Sequence, residues 1–476
     1  MAISSLKIEK LDLPLVICYL FFILAGWLNI YSAVYTEEHS SVFDLSQRYG
    51  MQFLWIIASL LTALFIIFVI NPRIYSVLSP LIYIGVILLL LAVIFMGTEV
   101  GGSKSWLVLG PVRFQPAEIS KISTSLFLSY VMSKYGFRLQ RVNNAISVAL
   151  ILLLPMLLII LEKETGSALV YCGFIFVLYR EGLSGWFLVL GLLAILFFVI
   201  TLGISPLLAI ICLFVMAGAA SGIIRRDLFR HILFILPFTL LLAFIPKLTE
   251  TELLHPLTVL KNEYLAVILI TPVAVWGFIT GIKKKIKYIK PLYLSFLCSL
   301  ILIFSVGFIF DNILQAHQRA RIENLLGITE DLKGAGYNVH QSMIAIGSGG
   351  FSGKGFLQGT QTKYNFVPEQ STDFIFCTIG EEWGFLGSVT VVALYLFMVA
   401  RILILSEKQK DHFTRLYGYC IASCFFMHVL INIGMTMGLL PVIGIPLPFL
   451  SYGGSSLLTF TVLLFIFIRL DNERWR

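Results

Sequence analysis

The sequence returns fourteen times to an apolar run of roughly the length a bilayer crossing demands, and no other feature limits its fold as strongly. The runs lie at about 13–34, 51–70, 76–96, 116–135, 144–160, 165–179, 186–203, 205–221, 231–246, 262–281, 289–310, 374–400, 416–438 and 451–470. A helix needs about 20 apolar residues to cross the hydrocarbon core, where every backbone N–H and C=O must be satisfied internally. Run 165–179 is short by that measure, and 116–135 is polar. Hydrophobic residues make up 58% of the chain and charged ones 13%, against about 25% charged in a soluble domain, so a single water-soluble core is excluded. The expected fold is all-α, a polytopic integral membrane bundle of about 14 transmembrane helices. The first run is too long for a removed signal and lacks a small-residue cleavage site, so it reads as an uncleaved first span.

Charge placement tests the span count. If the N-terminus is cytoplasmic and every run crosses, 22 of the 34 basic residues fall on the cytoplasmic side, including the KKKIKYIK cluster at Lys283–Lys290. The other side receives TEEHSSVFD, Glu162–Glu164, KLTETELLH and one long loop. Both termini are therefore expected in the cytoplasm. The net charge of +8 is absorbed by this orientation signal, and nucleic acid is not expected as a partner. The seven cysteines lie in apolar segments with no CxxC pair, so neither a disulfide framework nor a metal site is expected.

The long loop before residue 373 is the one extended Gly-rich, polar stretch, and such backbone near a membrane survives where it is buried in protein or lines a wet cavity. Its SGGFSGKG resembles a phosphate loop but has Ser348 where Gly is needed and Gly355 where Ser or Thr is needed. Gly347, Gly349, Gly350, Gly353 and Gly355 suit either a tight re-entrant backbone offering N–H groups to an anion or a flexible external loop. Asp373 stands where the loop turns apolar again, as a catalytic acid or as a helix N-cap. Glu118 and Lys121, three apart behind Pro116, share one helix face near Arg113; they form a functional pair or an ion pair joining helices.

The segments VRFQPAEISK, GAGYN..QS.IAIGSGGFSGKG, GTQTKYNFVPEQSTDFIF, GEEWGFLGS and NIGMTMGLLPVIGIPLPFLSYGGSS resemble the SEDS family (shape, elongation, division and sporulation), and GKGxLxGTQ with FVPE resembles its RodA-like branch. The resemblance implies a peptidoglycan glycosyltransferase that polymerises lipid II on the outer face of the cytoplasmic, or inner, membrane in cell elongation and shape. It implies as partners lipid II, the growing glycan strand, a class B penicillin-binding protein transpeptidase and membrane proteins of the elongation complex. The alternatives are an FtsW-like division polymerase, or a flippase for a lipid-linked precursor. No cofactor is indicated, and a divalent cation is left open.

By the same resemblance Asp373 is the essential acid, the general base that takes the proton of the attacking sugar hydroxyl. Arg319, Lys354 and Lys363, with Arg321 and Lys333, are candidates to steady the departing diphosphate. Arg113, Glu118, Lys121, Glu164 and Ser451 are the supporting or substrate-binding candidates. Glu164 replaces the family's usual Asp, and Ser371 stands where the family usually has His. The chain divides into an N-terminal core part (1–185), a region with about four helices beyond a ten-helix core (186–310), an external loop (311–372) and a C-terminal core part (373–476). The additional helices are expected to be peripheral.

Overall fold

The computed structural model describes residues 11–35, 43–100, 103–109, 112–249, 261–312, 314, 316–328, 336–364 and 366–474. Helix α1 (Leu13–Val34) starts where local chemistry favours it: Asp12 accepts from Leu15 N at 3.2 Å and Pro14 occupies the first turn. The chain continues through α2 (Arg48–Phe68) and α3 (Arg73–Met96), then a small antiparallel sheet of β1 (Thr98–Val100), β2 (Ser103–Leu109) and β3 (Val112–Phe114). Next come α4 (Pro116–Met132), α5 (Val142–Leu161), α6 (Thr165–Tyr171) and α7 (Phe174–Arg180). A second group holds α8 (Trp186–Gly203), α9 (Pro206–Arg225), α10 (Leu228–Thr249), α11 (Asn262–Lys283), α12 (Ile289–Asn312) and α13 (Ala316–Leu325). The chain closes with α14 (Tyr337–Ser348), α15 (Thr360–Lys363), α16 (Ile375–Glu407), α17 (His412–Thr436) and α18 (Gly454–Glu473).

Among the described residues, twelve helices are long and apolar enough to cross a membrane. The two runs that complete the fourteen are the marginal ones. One is α4, which has only 17 residues and is rich in serine; the other is split into α6 and α7 around Cys172 and Gly173. The chain is a multi-pass helical membrane protein. Its outer helix faces support this: Val77, Leu81 and Phe95 are largely exposed, which is costly in water and neutral against lipid. Among the described residues the three-stranded sheet is the one departure from the all-α expectation.

Internal contacts divide the chain into two units, Met1–Leu183 with Tyr337–Arg476, and Ser184–Gly336. In the first, α17 and α18 are the buried centre. Tyr19 of α1, Tyr395 of α16 and Phe425, Phe449 and Phe460 pack into one core. A second core joins α3 to α7 with one face of α17. In the other unit, Phe197, Ile210, Leu213, Leu242 and Ile270 bring α8 to α11 together. The stretch expected as one external loop over 311–372 holds α13, α14 and α15 and is shared between the units.

Helix α16 is two helices meeting at Gly384, whose φ of 64° is strained for any residue with a Cβ. The break frees backbone groups, and the Gly-rich loop takes them up: Phe385 N and Leu386 N donate to Gly350 O and Phe351 O at 2.9 and 3.2 Å. In return Lys354 N and Gly355 N donate to Glu381 O and Glu382 O, both at 3.0 Å. This corrects one expectation. The loop is tightly folded, but these two N–H groups are spent on α16 and are not available to an anion.

Candidate active site

Asp373 lies two residues before α16, half-buried. The cap position belongs to Phe374, whose side chain makes no cap bond. Two elements hold the Asp373 region. Asn432 of α17 donates at 2.7 Å to Asp373 O and at 2.7 Å to Ile445 O, tying the acid's backbone to the segment after α17. In that segment Gly444 turns with φ 76°, and a Cβ there would stand 3.4 Å from Asp373 Oδ2, so the carboxylate lies directly against the turn. Ser451 helps form the same segment, its Oγ accepting from Leu447 N at 2.8 Å.

The segment also reaches the buried pair. Lys121 Nζ donates to Glu118 Oε1 at 2.7 Å, with side-chain exposures of 0% and 3%. It lies 2.8 Å from His428 Nε2, and since an ammonium can only donate, Nε2 must be the acceptor. The ring proton is then on Nδ1, which faces Pro446 O at 3.3 Å. A continuous path of contacts therefore runs from Glu118 through Lys121, His428 and residues 445–446 to Asn432 and Asp373. His428 and Asn432 went unnamed in the sequence, although a buried His in an apolar span is itself a functional signal.

Glu164, the residue preceding α6, accepts from Ser167 Oγ. Burial raises its carboxyl above the usual range and neighbouring Glu118 adds to the shift, while Lys121 opposes it. Glu162 is 1% exposed and neither of its oxygens has a hydrogen-bond partner among the described residues. Burial, with Glu164 adding, pushes its carboxyl from 4.5 up to about 8. A carboxyl with a raised folded pKa holds its proton more tightly when folded, so its destabilising effect grows as pH rises from about 4.5 to about 8. Glu162→Gln should therefore raise the melting temperature at pH 9 and leave it nearly unchanged at pH 5. An equal shift at both values would show that Glu162 does not titrate in this way.

The cations divide. Lys354 Nζ is bound to Glu381 Oε1 at 2.7 Å and to Thr360 Oγ1 at 2.8 Å, and Glu381 also accepts from Gln361 N and Thr362 N. Lys354 thus braces the loop. Lys363 is exposed on α15. Arg319 belongs to the other unit, where its Nε donates to Leu314 O at 3.0 Å on α13, the helix that also carries Arg321. Arg113 sits in β3, opposite Val108. Lys333 lies outside the described residues. A cation the sequence did not single out is bonded within the segment that precedes the acid. Arg48 of α2 donates to Ser371 Oγ at 2.7 Å and to Glu369 Oε2 at 3.2 Å, and Ser371 O accepts from Tyr452 N at 2.8 Å. Among the described residues no group of three or more His, Cys, Asp or Glu is placed to hold a metal ion.

The family model FTSW_RODA_SPOVE, described as cell cycle protein, matches residues 12–218 and 240–475. The chain belongs to this family. A relative in Treponema pallidum, named peptidoglycan glycosyltransferase RodA, is 31% identical over 95% of each chain. Another in Escherichia coli K12, named peptidoglycan glycosyltransferase MrdB, is 31% identical over 82% of this chain and 76% of its own. Among solved structures, a chain of a peptidoglycan synthase complex that coordinates polymerisation and crosslinking aligns with TM-score 0.60 at 24% identity, covering 98% of this chain and 99% of that one. Thermus thermophilus rod shape determining protein RodA aligns with TM-score 0.56 at 20% identity over 99% of both. At those identities the structures speak to the fold. The match to the FTSW_RODA_SPOVE family takes in 186–218 and 240–310, so the second unit is distinguished by its contacts and not by falling outside the family pattern.

Proposed function

We propose that this protein is a RodA-like peptidoglycan glycosyltransferase that polymerises lipid II at the outer face of the cytoplasmic membrane, with Asp373 as general base. Two relatives named as such enzymes, each 31% identical, support the activity. The observation that carries the site is the Asp373 carboxylate set against the Gly444 turn, with its backbone tied by Asn432. Asp373 takes the proton from the attacking sugar hydroxyl as the oxygen bonds to the donor's anomeric carbon, and the bond to the lipid diphosphate breaks. Arg48, bonded to Glu369 and Ser371, is our choice to steady the leaving diphosphate, with Lys363 as a second. Glu118, Lys121 and Glu164 support the segment against which Asp373 lies, Ser451 shapes it, and Lys354 braces the loop.

A class B penicillin-binding protein is the proposed partner, since a structural neighbour belongs to a complex that joins polymerisation to crosslinking. Purified protein incubated with lipid II should yield glycan strands that separate as a ladder on a gel. Transbilayer movement of lipid II without a ladder would instead favour the flippase reading.

The proposed sidedness places both termini and the turn at Lys284–Tyr288 in the cytoplasm, with fourteen spans. A reporter fused near Lys285 should behave as cytoplasmic, and one near Glu252, outside the described residues, as external. The reverse at either point would remove two spans from the count.

A further inference from the structure

The second unit carries a feature that the polymerase reading does not use. A cavity of about 290 Å³ opens among α9, α10, α11 and α12. Its walls are apolar and aromatic, with Phe214, Phe234, Trp276 and Phe296 on four different helices. One end is cationic, where Arg225 closes α9 and Arg230 and His231 lie in the first turn of α10. From Arg225 back to Phe214 is eleven residues, or about 16 Å of helix, close to the hydrocarbon depth of one leaflet at about 15 Å.

Packing brings two turns together at the cationic end. Arg225 donates to Gly277 O of α11 at 2.7 Å, and a Cβ on Gly281 would stand 3.4 Å from the same guanidinium. The α11–α12 turn therefore adds Lys283, Lys284, Lys285, Lys287 and Lys290 to Arg225, Arg226 and Arg230. Asp227, ion-paired to Arg230 at 3.4 Å, is the one acid in those two turns. Arg225 Nε is buried with no hydrogen-bond partner among the described residues, a donor still to be satisfied.

We infer that this cavity binds an anionic phospholipid, with an acyl chain along the Phe214–Trp276 shaft and the phosphate at Arg225, Arg230 and His231. Charge complementarity selects an anion, and a leaflet-deep apolar shaft selects one that carries a hydrocarbon chain. A nucleic acid or soluble phosphate would use the cations and leave the shaft empty. On the sidedness proposed above, the lipid comes from the cytoplasmic leaflet. The assignment stands whether or not the Asp373 reading holds.

The test uses the full-length protein in nanodiscs doped with phosphatidylglycerol or phosphatidylcholine bearing brominated acyl chains. Trp276 fluorescence is isolated by difference from Trp276→Phe. Brominated phosphatidylglycerol should quench Trp276 at much lower mole fraction than phosphatidylcholine, and excess inorganic phosphate should not reverse it. Each basic residue at an anionic surface contributes about a factor of five, so Arg225→Gln with Arg230→Gln should weaken the quenching about 25-fold. Arg225→Lys with Arg230→Lys should retain most of it. Ala274→Leu, which fills the shaft, should reduce quenching with the cations intact, and it carries the test if the double Gln variant fails to fold. Equal quenching by the two lipids, reversal by inorganic phosphate, or a preference that survives both the charge removal and the filled shaft overturns the assignment.

Discussion

Asp373→Asn is expected to lower lipid II polymerisation by about 10²- to 10⁴-fold, the usual contribution of a positioned general base. The substitution keeps the shape of the side chain and still accepts a hydrogen bond, but it takes no proton at neutral pH. Folding should be spared for a structural reason. The bond from Asn432 goes to the Asp373 main-chain carbonyl, which Asn retains, and the cap position of α16 is Phe374. Thermal stability should therefore stay within about 0.5 kcal/mol of the parent, as for a substitution that removes no packing. Binding of the crosslinking partner should persist as well. A variant that melts early yet polymerises normally per folded molecule would make Asp373 a structural residue and pass the role of base to Glu118.

The second large effect belongs to the buried pair. Lys121→Met should cost about 3–5 kcal/mol, because it leaves the Glu118 carboxylate in a dry setting without its cation. Glu118→Gln should cost less, since the Lys121 ammonium keeps His428 Nε2 as an acceptor at 2.8 Å. The double variant separates structure from function. With both charges gone, stability should recover most of the loss, in the strongly non-additive way expected of residues in contact. Polymerisation should remain deficient, because the path from Lys121 through His428 and Pro446 to the Gly444 turn loses its charged end. Recovery of both stability and polymerisation would mean that the pair serves only to join α4 to α17.

Much of the fold is legible in the sequence wherever the information is local along the chain. Bilayer thickness sets the span length, so twelve helices can be read directly, and the two difficult ones, α4 and α6–α7, are those with too much serine or too few residues. Glu118 and Lys121 are legible as a pair because three residues is nearly one helical turn behind Pro116. The position of Asp373 follows from its place between a polar loop and the apolar FIFC.

What the sequence could not supply was every bond that spans a long chain separation. Nothing near Lys121 announces His428, 307 residues later, and nothing near Asp373 announces Arg48 beside Ser371, 323 residues earlier. The glycines of 349–355 signalled close backbone approach, but only tertiary packing assigned it to the break in α16 at Gly384 and not to an anion. The short sheet over 98–114 escaped notice because its strands satisfy one another in so few residues that no alternating pattern develops. Hydropathy and helical spacing are properties of neighbours in sequence, so the sequence determined the spans, their sidedness signal and the local pair. Which buried polar group meets which is decided by how helices pack in lipid, where each unsatisfied donor or acceptor must find a partner on another helix, and that only the tertiary structure settled.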